Sequence, residues 1–541
     1  MQPYLSDARR ALHEARGEWP HPNLTTLLAR RAQATPERVL FVAGDRRFTA
    51  VDVLRSADRL AAGLRGLGIG AGDVVSWQLP NWIEAVFLAF ALDRIGAISN
   101  PILPILRERE VSFICRQVHA RALIVPGFLR GFDHRELAAA VSDASTELAH
   151  VLVAHAEPAA GQRSLDRLLD APLDRRLPAS PIGPHDVAMI FYTSGTEADP
   201  KGVMHTPSTL GALVAAARTV RGTGGGEIGI LWFPITHLGG LAFFVVQPVA
   251  DGTRAVFVEQ FDPEVALNLI EREGVTSAGA PPAILQGLLR AEGFRRDRVR
   301  SVRIAGLGAA DVPAPLIREV ATAFDAFVYR SYGMTECPMT TAGRRGDAEE
   351  KLMTTDGRPV PGALVRVVDD AGRPAAADAE GDVAGEIELF APQLCVGYVD
   401  PRLSAAAFTA DGFLRSGDLG VVDAEGFVRI IGRKKDVIIR KGENLSAKAI
   451  EDELHAHPRI ADAAVIGVPD AASGERVCAC IVLRPNGGPP LTLDALRTFM
   501  LGRKVMAQKI PEQIEILDGL PRNAMGKVLK VELRRRFGRS T

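Results

Sequence analysis

The 541-residue sequence contains few cysteines, five in all: Cys115, Cys337, Cys395, Cys478 and Cys480. An odd and sparse set of thiols argues against the disulfide framework of a small secreted protein. Cys478 and Cys480 lie two residues apart in a strand-like stretch, but two thiols without a second pair make a poor zinc site. We therefore interpret both as small apolar residues of a buried strand.

The sequence also lacks a net charge, because 64 Lys and Arg residues face 65 Asp and Glu residues. Without a global positive field the chain is not a general nucleic-acid binder, and its 47% of apolar residues excludes a disordered chain. Long hydrophobic runs are missing too. The run 85–92 is far shorter than a membrane span, and residues 1–19 contain no signal-peptide core. We expect a cytoplasmic protein without integral membrane contact.

Helical and strand-like patterns alternate along the chain, at 51–67, 74–79, 82–95, 107–118, 122–126 and 187–193. This alternation predicts βαβ units with parallel sheets, and hence an α/β fold. Residues 365–389 hold shorter strands separated by turns, which predicts a β-rich subdomain. Residues 155–186 are rich in Pro, Ala and Asp, which predicts a surface connection.

The most informative stretch is 192–202, Tyr-Thr-Ser-Gly-Thr-Glu-Ala-Asp-Pro-Lys-Gly, which follows a predicted strand. Small residues let backbone N–H groups approach phosphate oxygens, hydroxyls can donate to them, and Lys201 supplies positive charge. A Walker loop does not fit, because Lys201 is followed by glycine and not preceded by it. Taken alone, the stretch is either a phosphate-binding loop or a surface turn.

Further stretches complete a resemblance to the adenylate-forming superfamily, which includes acyl-CoA synthetases, peptide-synthetase adenylation domains and luciferase. The loop at 192–202 resembles the family's phosphate-binding signature. The other matches follow in the family's order: the adenylate motif at 332–336, the ribose motif at 416–420, the hinge at 432–436 and 441–444, and the C-terminal lysine motif at 521–527. The resemblance implies a large N-terminal domain at 1–433 and a small, mobile α+β domain at 434–541.

The resemblance implies an ATP site and assigns roles to its residues. Glu336 would help hold Mg²⁺, which prefers carboxylate and phosphate oxygens, and Thr335 would donate to the α-phosphate. Tyr332 would lie against adenine, while Asp418 would accept hydrogen bonds from the ribose. The remaining residues expected at the nucleotide are Thr193, Ser194, Gly195, Thr196, Lys201, Gly308, Ala309, Ala310, Gly333 and Arg433.

Lys527 lies in a basic tail, 521–541, which has seven Lys or Arg residues and one Glu. The resemblance implies that Lys527 bridges the carboxylate substrate and the α-phosphate, where a cation offsets the repulsion between two anions. The other basic tail residues are interpreted as solvated, and without interleaved aromatics nucleic acid is not an expected partner. Lys435 matches the family's hinge residue, and Lys441, Gly442 and Glu443 would line the coenzyme A path.

The stretch 233–241 resembles the acyl-side motif of acyl-CoA synthetases, whose histidine, here His237, lies beside the carboxylate. Thr236 stands where that motif usually has an aromatic residue. No acid between 233 and 237 could hold a substrate ammonium, so we expect a plain carboxylic acid. The expected pocket residues are mostly small or apolar, which favours an apolar acyl group: Thr236, His237, Gly239, Gly240, Ala280, Leu285, Ile304, Ala305, Leu307 and Met339.

The sequence as a whole predicts an ATP-dependent acyl-CoA ligase, and residues 79–110 resemble those of cyclohexanecarboxylate- and medium-chain acyl-CoA ligases. Its partners would be a small carboxylic acid and coenzyme A, and the protein would be a monomer or homodimer. One departure is Glu197-Ala198, where the family usually has Thr-Gly, because a carboxylate beside triphosphate is repulsive. Alternatives are an enzyme that loads a separate carrier protein, and an adenylate-binding homologue with weakened catalysis.

Overall fold

The computed structural model describes residues 3–19, 22–172, 177–193, 200–222, 224–308, 312–440, 443–470, 473–485, 491–503, 505–523 and 526–538. Up to residue 170 its elements are α1 (Asp7–Ala15), α2 (Leu24–Ala34), β1 (Val39–Ala43), β2 (Arg46–Thr49), α3 (Ala50–Gly66), β3 (Val74–Trp77), α4 (Ile83–Ile95), β4 (Ile98–Pro101), α5 (Glu108–Gln117), β5 (Ala120–Pro126), β6 (Phe128–Leu129), β7 (Phe132–Asp133), α6 (His134–Asp143), β8 (His150–Ala154), β9 (Arg163–Ser164) and α7 (Leu165–Asp170).

The middle of the chain continues the alternation, with a π-helical turn at Ala242–Val246. Its elements are β10 (Met189–Thr193), β11 (Lys201–His205), α8 (Pro207–Arg221), β12 (Ile228–Leu231), α9 (Leu238–Leu241), α10 (Gln247–Asp251), β13 (Arg254–Phe257), α11 (Pro263–Glu273), α12 (Pro282–Leu289), α13 (Arg296–Val299), β14 (Ile304–Leu307), α14 (Ala314–Phe324), β15 (Phe327–Tyr332), β16 (Thr341–Ala342), α15 (Glu349–Thr354) and β17 (Arg358–Pro359).

The last part is richer in strands and has 3₁₀ turns at Lys434–Asp436 and Ala507–Lys509. Its elements are β18 (Leu364–Val368), β19 (Val383–Phe390), α16 (Pro401–Ala407), β20 (Leu414–Val422), β21 (Val428–Arg433), β22 (Val437–Arg440), β23 (Glu443–Ser446), α17 (Ala447–His455), β24 (Ile460–Asp470), β25 (Gly474–Leu483), α18 (Leu493–Gly502), β26 (Gln513–Ile516) and α19 (Lys530–Phe537).

Two largely parallel sheets form the first two thirds of the molecule, as the alternation predicts. The first has the strand order β11-β10-β4-β3-β5-β8-β9 and is parallel except for the β10–β11 hairpin. The second consists of β12-β13-β1-β2 and β14-β15-β16-β17, which bridges of Ser277 to Gly229 and Ile304 connect. Helix α4 is buried around nearly its whole circumference, which is typical of a helix enclosed within a core.

The β-rich subdomain is confirmed as the antiparallel sheet β18-β19-β20-β21. The C-terminal part is α+β: its sheet has the order β23-β22-β25-β24, with β26 on β25. Alternate residues of β25 face opposite sides, so Val477 and Ile481 belong to one apolar cluster and Cys478 and Cys480 to another. Both thiols are fully buried and free, which confirms their interpretation as apolar strand residues.

The structure corrects one expectation, that 155–186 is only a surface connection. This segment contains the short strand β9 and helix α7, and Leu165 of α7 is fully buried. Strand β9 has two residues, too few for a sequence pattern, and it forms only by pairing with β8. Among the described helices, none is both long enough and apolar enough to cross a bilayer.

Asn81 joins the two parallel sheets at their carboxyl ends. It follows β3 in the first sheet, and its side-chain amide donates to the carbonyls of Phe233 (3.1 Å) and Val258 (2.9 Å), which follow β12 and β13 in the second. Its Oδ1 accepts from the N–H of Ile235 at 2.7 Å. One buried side chain thus satisfies three backbone groups and fixes the loop that leads to His237.

Replacing Asn81 with alanine should destabilise the protein, because three backbone groups would lose their partner in the interior. We expect the free energy of unfolding, measured by urea denaturation, to fall by roughly 3 kcal/mol. The matched control is Gln33→Ala, which removes an exposed amide from α2 and should change stability by less than about 0.5 kcal/mol. Equal stability of the two variants would contradict the assigned role of Asn81.

Candidate active site

The predicted site residues lie mainly where parallel strands end. Strand β10 ends at Thr193, β15 ends at Tyr332, and the loop after β12 carries His237. Because the carboxyl ends of parallel strands meet at one edge of a sheet, residues far apart in sequence come together there. The ribose motif comes from the antiparallel sheet, in which Asp418 of β20 lies opposite Arg433 of β21.

The side chain of Asp418 is engaged on both oxygens. Oδ2 accepts from the Tyr332 hydroxyl at 2.6 Å, and Oδ1 pairs with Arg433 Nε at 2.8 Å. Asp418 is 2% exposed, and burial together with this carboxylate raises the pKa of Tyr332 well above its ordinary value. Each carboxylate oxygen has a second acceptor position, so these contacts leave room for a ribose hydroxyl.

A cavity of about 480 Å³ lies beside this cluster, a size typical of small-molecule sites. The residues that line it come from positions 281–534, and they include Tyr332, Gly333, Asp418, Arg433, Lys435 and Lys527. The structure therefore brings the predicted adenylate, ribose, hinge and C-terminal lysine motifs together in one cavity.

Lys527 is held at this cavity by its own turn. Its backbone N–H donates to Asn523 Oδ1 at 2.9 Å, and Gly526 lies close to Ala283 of α12 in the large sheet region. Burial lowers the pKa of Lys527 to about 8, with a further contribution from the positive charge of Arg433. Its cationic form is therefore less favoured than that of a solvated lysine and would gain from a bound anion.

Glu336 is buried, and its Oε1 accepts from the Tyr398 hydroxyl at 2.7 Å. The ring of Tyr398 lies 5.9 Å below Lys201 Nζ, so this tyrosine connects the lysine of the phosphate loop to Glu336. Among the described residues no three His, Cys, Asp or Glu side chains cluster as a metal site. A buried carboxylate such as Glu336 fits a Mg²⁺ ion that takes most of its ligands from phosphates and water.

Thr335 is positioned by a buried histidine. His205 Nε2 donates to the Thr335 carbonyl at 2.8 Å, and its Nδ1 lies 3.1 Å from Thr209 Oγ1. Burial lowers the pKa of His205 to about 4, so the ring is neutral. This agrees with its interpretation from sequence as a core histidine with satisfied hydrogen bonds.

His237 begins helix α9 and accepts from the N–H of Gly239 through Nδ1 at 3.2 Å. Burial lowers the pKa of His237 to about 4, so the ring is neutral, and Nε2 carries the proton. His237 borders a small cavity of about 20 Å³, which is also lined by Pro101, Leu103, Leu106, Phe191, Tyr192, Thr236, Leu238 and Thr335. Its Nε2–H is thus a donor beside the adenylate motif.

Of the predicted acyl-pocket residues, only Thr236 and His237 line this small cavity. Leu285, Ala305 and Leu307 are fully buried in the core of the second sheet. Ala280 is buried in the same core, and Ile304 and Met339 are buried in the main core. A Cβ atom at position 240 would lie 2.4 Å from the Pro234 carbonyl oxygen and collide with it, so the close approach of the backbone requires glycine here. For these residues and Gly239 a place in the acyl pocket stays a prediction.

Several predicted residues lie outside the part of the chain that the structure describes: Ser194, Gly195, Thr196, Ala309, Ala310, Lys441 and Gly442, together with Glu197 and Ala198. Their neighbours are described. Thr193 and Lys201 pair across the β10–β11 hairpin, and Glu443 begins β23 with an exposed side chain. Gly308 follows β14, where a Cβ would lie 2.9 Å from the Ser331 carbonyl, so a larger residue would push β14 and β15 apart.

Sequence reasoning missed Tyr398 and Gln117. The hydroxyl of Tyr192 donates to Gln117 Oε1 at 2.6 Å, which turns that hydroxyl away from the small cavity. The scarcity of tyrosine in the sequence was a signal that could have pointed to Tyr398. The chain has five tyrosines, and three of them, Tyr192, Tyr332 and Tyr398, lie at this site.

Comparisons with known proteins agree with this geometry. The family model described as AMP-binding enzyme matches residues 28–399, and the model described as AMP-binding enzyme C-terminal domain matches residues 449–527. The first match alone covers more than half of the chain.

Three relatives match almost end to end. The medium-chain fatty-acid–CoA ligase of Escherichia coli K12 is 31% identical over 98% of this chain and 93% of its own. The 2-hydroxy-7-methoxy-5-methyl-1-naphthoate–CoA ligase of Streptomyces carzinostaticus is 33% identical over 98% of this chain and 96% of its own. The 2,3-dihydroxybenzoate-AMP ligase of Bacillus subtilis 168 is 32% identical over 96% of this chain and 94% of its own.

The fold agrees as well. The solved structure of ATP-bound MatB from Rhodopseudomonas palustris has a TM-score of 0.85 and 27% identity, and covers 96% of this chain and 99% of that one. Matches of this extent cover both the large N-terminal and the small C-terminal region. The chain therefore belongs to the AMP-binding enzymes, the adenylate-forming superfamily that includes acyl-CoA synthetases.

Proposed function

We propose that this enzyme is an ATP-dependent acid–thiol ligase that converts a mainly apolar carboxylic acid to its coenzyme A thioester. The observation that carries the proposal is the position of Lys527, whose ammonium shares one cavity with Tyr332 and Asp418. A half-buried cation beside a predicted nucleotide site suits a reaction in which two anions must meet.

In the first half-reaction the substrate carboxylate attacks the α-phosphorus of ATP, and pyrophosphate leaves. Lys527 stabilises the charge that accumulates between carboxylate and phosphate, while the hydroxyl of Thr335 donates to the α-phosphate. His237 donates from Nε2 to a carboxylate oxygen, because its Nδ1 is committed to Gly239. Asp418 and Tyr332 hold the nucleoside, and Arg433 reinforces its ribose end.

Magnesium supplies charge neutralisation for the departing pyrophosphate when it is bound. Glu336 would hold the ion through Oε2 or through the second acceptor position of Oε1, since Tyr398 occupies the first. Thr193, Lys201 and the loop between them would bind the β- and γ-phosphates.

In the second half-reaction the coenzyme A thiol attacks the acyl carbon of the adenylate, and AMP leaves. We propose domains at 1–433 and 434–541 that rotate about Lys435, with Lys441, Gly442 and Glu443 along the pantetheine path. Ion pairs flank Lys435: Lys434 bonds Glu386 in the large domain at 2.9 Å, and Asp436 bonds Arg534 in the small one at 2.8 Å. A rotation at Lys435 would leave both ion pairs intact.

A second candidate is an enzyme that transfers the acyl group to a separate carrier protein. The AMP ligase among the relatives favours it, whereas the two CoA ligases, one of them for medium-chain fatty acids, favour coenzyme A. We place either reaction in the cytoplasm, carried out by a monomer or homodimer.

A panel of carboxylic acids, scored by AMP release with and without coenzyme A, tests the proposal. The panel should contain straight-chain acids of four to twelve carbons, cyclohexanecarboxylate and benzoate. We expect at least one acid to give AMP release that coenzyme A accelerates, with the thioester as product. Adenylate formation without thioester would favour the carrier-loading enzyme, and no pyrophosphate exchange with any acid would favour a binding protein.

Replacing Lys527 with alanine should slow adenylation by about 10²- to 10³-fold, because the charge between the two anions is lost. Thioester formation from synthetic acyl-adenylate and coenzyme A should stay within about threefold of wild type, since no anion attacks an anion in that step. The matched control is Arg535→Ala, which removes an exposed cation of the same tail that does not line the large cavity. Equal losses in both half-reactions would refute the assigned role.

The pH dependence of adenylation should report the same lysine. Lys527 acts as a cation, so kcat/KM for pyrophosphate release should decline as pH rises through the pKa of the free protein, about 8. Bound anions favour the cation and should shift the decline of kcat to higher pH. In Lys527→Arg, whose guanidinium stays protonated, the decline near pH 8 should disappear. Its persistence there would assign the titration to another group.

A further inference from the structure

Thr236 carries a hydroxyl that has no hydrogen-bond partner among the described residues. The residue is 4% exposed and lines the small cavity of about 20 Å³ beside His237 and Thr335. A buried hydroxyl without a partner is costly, and most such groups in native proteins are satisfied. The hydroxyl therefore requires a partner that arrives with a ligand or with water.

Among the described residues, no other wall of the cavity is hydrogen-bonded to the Thr236 hydroxyl. Pro101, Leu103, Leu106, Phe191 and Leu238 are apolar, and the hydroxyl of Tyr192 already donates to Gln117. His237 uses Nδ1 to accept from Gly239, which leaves Nε2–H as a donor at the cavity. The cavity thus combines an apolar wall with the polar side chains of Thr236, His237 and Thr335, of which the first two are adjacent in sequence.

The size of the cavity limits where a ligand group can meet Thr236. A volume of about 20 Å³ holds about one water molecule, so Thr236, His237 and Thr335 surround the same small space. If His237 and Thr335 bind the reacting carboxyl and phosphate, the carbon that carries a group reaching Thr236 is only one or two bonds from the carboxyl carbon. The rest of the acid would displace the half-buried side chains of Leu103 and Leu106.

We infer that the substrate is an apolar carboxylic acid with a hydroxyl or amino substituent that forms a hydrogen bond. This substituent is attached either to the carbon that bears the carboxyl group or to the carbon next to it. This inference rests on the proposed function and narrows it. The Thr236 hydroxyl both donates and accepts, so it pairs with either substituent. An acid without the substituent leaves Thr236 unpaired in the interior and is bound less well.

The test compares matched acids: salicylate with benzoate, and 2-hydroxyoctanoate with octanoate, with 4-hydroxybenzoate as the positional control. The measured quantity is kcat/KM for pyrophosphate release in wild type, Thr236→Val and Thr236→Ser. In one of the two pairs we expect wild type to prefer the substituted acid by about tenfold or more. Thr236→Val, which keeps the shape and removes the hydroxyl, should reduce that ratio to about twofold or less, whereas Thr236→Ser should preserve it.

Further measurements separate a binding role from a structural one. If the hydroxyl is unpaired in the free protein, Thr236→Val should melt at the same or a higher temperature than wild type, and a lower one would indicate a structural hydrogen bond. The inference is overturned if wild type shows a kcat/KM ratio near one in both pairs of acids, or if Thr236→Val keeps the wild-type preference for the substituted acid. Activity with any acid would in either case leave the proposed function standing.

If no acid is turned over, calorimetry measures the binding of the same acids to the three proteins in the presence of ATP and tests whether the Thr236 hydroxyl contacts the acid. Absent turnover refutes the proposed function. Tighter binding of the substituted acid that Thr236→Val abolishes would still support the hydroxyl as a ligand contact, and equal binding in the three proteins would overturn it.

Discussion

The buried carboxylate of Asp418 is the contact on which the rest of the site depends. It holds the Tyr332 hydroxyl at the end of a parallel sheet and the Arg433 guanidinium at the end of the antiparallel sheet. A buried charge is stable only when both its oxygens are satisfied, so the two sheets are fixed relative to each other at this point. Arg433 is also the last residue before the turn of Lys434–Asp436, where the proposed C-terminal domain begins.

The overall charge balance conceals a strong local imbalance. The formal charge of the chain is −1, yet the large cavity is lined by nine Lys or Arg residues and five Asp or Glu residues. Cations gathered in a partly buried cleft attract an anionic nucleotide. Burial, and after it the positive charge of Arg433, lowers the pKa of Lys527. A ligand that carries several negative charges relieves this repulsion, so binding and the protonation of Lys527 support each other.

The sequence predicted the elements that local patterns specify. Parallel strands such as β5 are apolar along almost their whole length, and the motifs at 332–336 and 416–420 are contiguous, so both are visible without a structure. The contacts of Tyr398 with Glu336 and of Asn81 with Phe233 and Val258 were not visible, because they join residues 62, 152 and 177 positions apart. The acyl pocket was the least predictable part, since a small or apolar residue suits a pocket wall and a core equally well.

By itself the sequence determined the α/β class and the adenylate-forming family, and it indicated the residues that we propose supply the chemistry, because ordered short motifs carry that information in their composition and spacing. The tertiary structure decided which of those residues meet. It placed Lys527 beside Asp418, committed Nδ1 of His237 to Gly239 and left the hydroxyl of Thr236 without a partner among the described residues. Protonation and hydrogen-bond satisfaction depend on every group within a few ångströms, and only the folded chain determines which groups those are.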